Sequence, residues 1–319
     1  MTYPVVEPYD CGVMDTGDGH QVYWETCGDP AGKPAVVLHG GPGSGASPVW
    51  RRYFDPVSYR VVLVDQRGCG RSLPNACDDR AALQNNTTAH LIADLEMLRE
   101  RLQIDSWLAF GASWGSTLGL AYAVTHPDRI SELVLWAVVT TRAKDVRWLT
   151  HTMGEVYPRE FDRLLAELPS ERRSGNVPAA LHELLMSDDA QVCDRAARAW
   201  CAWEDRLATL AGPVEPSPRS SDPRRRLGFA RLVTHYFGNY AFLADDALIG
   251  HLDRLQHIPT YLLRGRLDIA SPLRSAYEVA NGIPHARFEI VEADGHGGGD
   301  DTVHRLVAVL DAYAAAWNR

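Results

Sequence analysis

Apolar positions along this chain follow two periods, and the switch between them divides it. "QVYWETCG" (21–28) alternates like a half-buried strand, and "PAVVLHGG" (34–41) is a continuous apolar run that breaks into glycines. "YRVVLVDQRGCGRS" (59–72) repeats that plan. "TTAHLIADLEMLRERLQI" then places Leu91, Leu95, Leu98 and Leu102 at helical spacing, with Thr87 or Thr88 as the expected N-cap. "SWLAFGAS" and "ISELVLWAVV" read as further buried strands flanking the helix "STLGLAYAVTHP", which Pro127 helps to end. Strands apolar on both faces, interleaved with helices, imply a mostly parallel sheet covered on both sides. Such sheets carry their functional loops at the carboxyl ends of the strands.

From about Thr140 to Gln256 the strand-like runs give way to helical segments rich in arginine and tryptophan: "REFDRLLAEL", "AALHELLM" and "VCDRAARAWCAWEDRLATL". The loop "AGPVEPSPRSSDPRRR", dense in proline and serine, interrupts this helical region. Sheet character returns at "IPTYLLRGRLD" and "ARFEIVEADGH", and a final helix is expected over "TVHRLVAVLDAYAAAW". The expected organisation is an α/β core formed by residues 1–139 and 257–319, with residues 140–256 inserted as a helical cap.

Composition narrows the function classes. A net charge of −9 argues against nucleic acid or an anionic membrane as the main partner. No apolar run approaches the ~18 residues that span a bilayer, and "MTYPVVEPYDCG" lacks the pattern of a secretory signal. The 6 cysteines are scattered without metal-ligand spacing, so free thiols and a reducing cytoplasm are expected. No metal site or cofactor motif is evident; "HGGPGSG" lacks the lysine and hydroxyl pair of a phosphate-binding loop.

The candidate chemistry centres on Gly111-Ala112-Ser113-Trp114-Gly115, a G-x-S-x-G pentapeptide where a buried strand must turn into a helix. The turn presents a strained serine above the sheet, over a helix N-terminus that favours developing negative charge. A serine hydroxyl needs a base, and the base an orienting acid. Asp268 ends "YLLRGRLD" and His296 lies just beyond "FEIVEADG", which is the order serine, acid, histidine with each partner beyond a later strand. Asp294 and Asp300 compete for the acid role but share the loop of His296. The backbone N–H groups of Trp114 and Gly41 are the candidate oxyanion donors, and His39 is expected to bond within its own loop.

These pieces resemble the α/β-hydrolase fold and, more narrowly, the proline iminopeptidases. The resemblance rests on "HGGPGSG", "VVLVDQRGCGRS", "NNTTAHLIADLEMLRERL", "FGASWGSTLGLAYA", "HPDRISELVL", "AARAWCAWE", and "GRLD" with "GH". It implies a helical cap over a serine triad that removes N-terminal residues, proline by preference, from small peptides. It also implies that Glu204, in Ala199-Trp200-Cys201-Ala202-Trp203-Glu204, anchors the free amine of the substrate. A second family carboxylate falls at Val233, where this chain carries valine. "TTRAKDVRWLTHTMGEVYP", divergent after Trp148, is expected to line the pocket. Chemistry therefore reads as retained and specificity as altered.

The leading expectation is a serine hydrolase that cleaves an N-terminal aminoacyl amide, prolyl or related, through an acyl-enzyme, with a small peptide or aminoacyl amide or ester as its partner. The alternative is a biosynthetic amidase or esterase acting on a non-prolyl substrate. A hydrolase-like fold that only binds ligands is a third reading, opposed by the complete triad. Trp200 and Trp203 suit either an aromatic wall around substrate or cap packing. The arginines of "DPRRRLGFAR" suit a salt-bridged surface better than an acidic ligand. Oligomeric state is not legible.

Overall fold

The computed structural model describes residues 2–209 and 214–317; the start of the expected proline-rich loop, 211–213, lies outside the described residues. Eight strands form one sheet: β1 (Asp10–Asp15), β2 (Gln21–Gly28), β3 (Lys33–Leu38), β4 (Tyr59–Val64), β5 (Trp107–Ala112), β6 (Ile130–Trp136), β7 (Thr260–Gly265) and β8 (Arg287–Val291). Their spatial order is β1-β2-β4-β3-β5-β6-β7-β8. β1–β2 and β2–β4 are antiparallel, and every pairing from β4–β3 to β7–β8 is parallel. Every residue of β5 and β7 is buried, as strands covered on both faces must be.

The helices are α1 (Thr88–Arg101), α2 (Trp114–Thr125), α3 (Ala143–Arg147), α4 (Met153–Val156), α5 (Pro158–Ala166), α6 (Val177–Leu185), α7 (Ala190–Ala208), α8 (Pro218–Ser221), α9 (Pro223–Gly238), α10 (Leu273–Gly282) and α11 (Asp300–Trp317). Thr87 occupies the N-cap of α1, but its hydroxyl pairs with His90 rather than with the helix backbone. α2 ends at Thr125, just before Pro127. One sheet face packs Leu95, Leu118 and Val279 around Val36 and Val62; the other packs Phe54, Leu306 and Leu310 around Val37 and Phe110. Burying each such side chain contributes about 1.5–3 kcal/mol.

Between β6 and β7 the described residues hold helices and turns only, and those of α5, α6, α7 and α9 enclose a separate apolar cluster built on Leu164, Leu181, Trp200, Trp203 and Val233. Leu248, Leu252 and Leu255, late in this stretch, pack with the sheet cluster instead. A π-helical turn, Trp148–Thr152, joins α3 to α4. No helix among the described residues is long and apolar enough to cross a membrane. All 6 cysteines are free.

Candidate active site

The segment from β5 to α2 can be built only with glycine at two points. A Cβ on Gly111 would collide with the carbonyl oxygen of Gly115, and one on Gly115 with that of Leu38. Ser113, between them, adopts φ 56° and ψ −122°, a region side chains rarely occupy, which lifts its hydroxyl off the sheet at the start of α2.

Two other strands deliver partners to that hydroxyl. His296, beyond β8, places Nε2 2.9 Å from Ser113 Oγ, and its Nδ1 lies 2.9 and 3.0 Å from the two carboxylate oxygens of Asp268, beyond β7. With Asp268 ionised, Nδ1–H donates to it, and Nε2 is left to accept the serine proton. Burial alone would raise the Asp268 carboxyl, but the neighbouring imidazole and the Arg264 guanidinium outweigh it and hold it below the ordinary value. Asp294, the rival acid, accepts bonds from Gly299 N–H and from the backbone and hydroxyl of Thr302, where α11 begins; Asp300 is the first residue of that helix.

Three supports were not singled out from the sequence. Arg264, fully buried in β7, sits 3.1 Å from Asp268 Oδ2 and donates to the carbonyls of Val138, Asp268 and Ser271. Its signal was a lone charge inside an apolar strand. Gln66 donates to the carbonyl of His39 and accepts from the Trp114 indole at 2.8 Å, so it ties the loops beyond β3 and β4 to the serine's helix. His39, wholly buried, pairs Nδ1 with Gly40 O, within its own loop as expected, and also accepts at Nε2 the N–H of Gln66 from the loop beyond β4. Burial pushes its pKa down, so it stays neutral. Asp145 is the third. It accepts from the hydroxyls of Thr140 and Ser275 and lies on the wall of the site.

Ser113 and His296 open into a cavity of about 250 Å³ whose wall also includes Gly41, Trp114, Val139, Leu149, Glu204 and Phe237. Glu204 reaches it from α7, with its side chain 14% exposed and Oε2 3.1 Å from Arg219 Nη2. Burial raises its carboxyl; Arg219 and His296 oppose that, and Asp205 adds to it. Thr141, Asp145, Val146 and Leu149 come from the stretch expected to line the pocket.

Residues 33–301 match the model of the alpha/beta hydrolase fold family. A "probable proline iminopeptidase" of Streptomyces coelicolor is 51% identical over 316 residues, covering 98% of this chain and 97% of that protein. The proline iminopeptidase of Neisseria gonorrhoeae is 42% identical over 297 residues, 92% of each chain. The chain belongs to the proline iminopeptidase family. It is an enzyme of the α/β-hydrolase fold. The crystal structure of a Mycobacterium smegmatis proline iminopeptidase superposes with a TM-score of 0.59 over 96% of this chain and 99% of that one; at 21% identity it speaks for the fold alone.

Membership in this family bears on the positions where the chain looked divergent. Val233 is fully buried in the cap cluster and is not on the cavity wall, whereas Phe237, one helical turn later on α9, is. Trp200 and Trp203 are likewise buried in that helical cluster, the latter donating to Leu149 O, and neither is on the cavity wall. The arginines of the run divide. Arg224 pairs with Asp78 on the surface, while buried Arg231 holds the carbonyls of Leu185 and Ala76. With relatives of this identity and coverage, the alternative of a non-prolyl biosynthetic amidase is not favoured.

Proposed function

We propose that this enzyme releases the N-terminal prolyl residue of small peptides through an acyl-Ser113 intermediate. In this reading Ser113 attacks the scissile carbonyl carbon while His296 Nε2 takes the hydroxyl proton. His296 then gives that proton to the departing peptide amine, and water, deprotonated by the same nitrogen, frees the acyl group. Asp268 keeps the imidazole in the tautomer that accepts at Nε2. The N–H groups of Trp114 and Gly41 are assigned to the oxyanion, each such donor contributing about 3–4 kcal/mol to transition-state stabilisation. Glu204 takes the substrate's ammonium, in a cap assigned to residues 140–256. The observation that carries this reading is the unbroken chain of hydrogen bonds from Ser113 through His296 to Asp268 at one end of a cavity with Glu204 on its wall.

A cavity near 250 Å³, just below the ~300–1,000 Å³ usual for drug-sized ligands, suits a single aminoacyl group with its amine held inside. The free thiols support a reducing cytoplasm as the compartment. Hydrolysis of prolyl anilide by the wild type and by Ser113→Ala tests the chemistry. The expected loss is roughly 10⁴-fold or more in kcat; hydrolysis that survives the substitution overturns the assignment.

A further inference from the structure

Glu204 is a carboxylate on a largely apolar wall, beside Leu207, Ala208 and Phe237. An uncompensated charge in such a place is costly and is relieved by taking up a proton. A neutral carboxylic acid is a poor partner for an ammonium ion. Something must keep this group charged while leaving it free to face the substrate.

Arg219 is placed to do both. It lies on the short helix α8, and its Nη2 meets Glu204 Oε2 at 3.1 Å, leaving Oε1 to other partners. The guanidinium is also stacked 4.0 Å from the centroid of the Phe229 ring, which holds it back against α9. The loop that carries it is pinned to α7 by the residue next to the anchor, because Ser217 N–H donates to Asp205 Oδ2 at 3.3 Å. Arg219 itself lines the cavity with Ser113 and His296. The charged and titratable groups facing Glu204 are Arg219 from α8, Asp205 and Cys201 on its own helix, and His296 from the loop beyond β8. Asp145 stands elsewhere on the same wall.

We propose that Arg219 is a positioning residue for substrate recognition: it keeps the Glu204 carboxylate charged and aimed so that Oε1 receives the ammonium of the incoming N-terminal residue. The proposal rests on the reading of Glu204 as the amine anchor. Arginine is suited to the task because its flat fork can bond a carboxylate and stack on an aromatic face at once, which lysine does less well. Without Arg219, burial, Asp205 and the cavity's low polarity favour the protonated acid, opposed by His296 and the Trp200 side chain.

The test compares wild type, Arg219→Gln, Arg219→Lys and Glu204→Gln, each normalised to active sites counted with a fluorophosphonate. Steady-state kinetics on prolyl anilide are read from acid to neutral pH. The same profile with p-nitrophenyl acetate, which has no amine, serves as the reference for His296 in every variant. Arg219→Gln is expected to raise KM for prolyl anilide about tenfold with a much smaller change in kcat, and to move the acid limb of kcat/KM toward neutral pH relative to the acetate reference. Arg219→Lys is expected to recover part of both. If Glu204→Gln raises KM while Arg219→Gln leaves KM and the acid limb at wild-type values, the role of Arg219 is refuted and the anchor stands. If the lysine variant is no better than glutamine, or if kcat alone falls, Arg219 only packs the cap. If Glu204→Gln leaves KM unchanged, the anchor itself is wrong and this proposal falls with it.

Discussion

Replacing Arg264 by methionine removes the cation beside Asp268 while keeping most of its volume. Both partners of the Arg264–Asp268 pair are fully buried, with Nε 3.1 Å from Oδ2. The guanidinium also holds three carbonyls, those of Val138, Asp268 and Ser271, at 2.5, 3.2 and 2.7 Å. Breaking one side of a buried pair costs about 3–5 kcal/mol because the remaining charge is left without its partner. The three orphaned carbonyls belong to the same penalty and are not added to it. A typical domain has only about 5–15 kcal/mol to lose, so the variant should unfold at much lower urea and melt roughly 10 °C earlier, at about 2–4 °C per kcal/mol. Asp268 would keep His296 as a partner but lose one of the two charges that hold its carboxyl down, so active-site titration should still find a reactive serine in whatever fraction is folded. Arg264→Lys, which retains charge without the fork, should fall between the two. Urea titration followed by tryptophan fluorescence decides it. A methionine variant within about 1 kcal/mol of wild type, with unchanged kcat, would show that Arg264 only fills space and that the acid loop needs no clamp.

Two other outcomes concern separate parts of the molecule. Gly115→Ala should abolish fluorophosphonate labelling or cost at least about 1–3 kcal/mol of stability, since its methyl meets the Leu38 carbonyl across a contact with no slack; full labelling with unchanged stability would contradict the close approach. Burial, with His235 only 5.4 Å away, pushes His182 down to about 4. A histidine depressed in the native state stabilises fully above its unfolded value near 6.5 and progressively less as pH falls toward about 4. The loss is up to about 3 kcal/mol at ~1.4 kcal/mol per pH unit. His182→Gln should flatten that part of the pH–stability curve, measured as urea midpoints at pH 7.5 and 4.5; an equal drop in both proteins would exclude His182 as the cause.

Legibility tracked how strongly a residue's task is imposed by its place in the chain. Ser113 and Asp268 were readable because each follows a strand buried along its whole length, β5 or β7, which an apolar run marks; β8 has one buried residue, and His296 was read from its place after that strand in the order serine, acid, histidine. β1 was not, because Asp10–Asp15 is an edge strand with one buried residue and no apolar face to betray it. The helical character of the stretch between β6 and β7 showed in its periodicity, but which way its side chains point did not. Val233 and Phe237 are a turn apart on α9, and only the packing of α6 and α7 against that helix decides which of them meets the cavity. Trp200 and Trp203 were ambiguous for the same reason. Gln66 acts through His39 and Trp114, and Asp145 partly through Ser275, partners distant in sequence that no local pattern encodes; Arg264 reaches the nearby Asp268 and Ser271 as well as distant Val138, and its one local mark was a charge inside an apolar strand.

The first residues after β6 carry a consequence for how the pocket can adapt. Val139 exchanges bonds with Ser116 in both directions, Thr117 reaches Val139 and Thr141, Asp145 is held by Ser275, and the Trp148 indole donates to Ile269 O. The root of the cap is thus bolted to the serine's helix on one side and to the acid's loop on the other. These bonds hold residues 139–148 as a fixed stretch of the chamber wall, so any opening of the cavity is expected farther along the insertion. Changes at Val139 or Thr141 should therefore re-sort which acyl groups fit without altering how quickly the doorway opens.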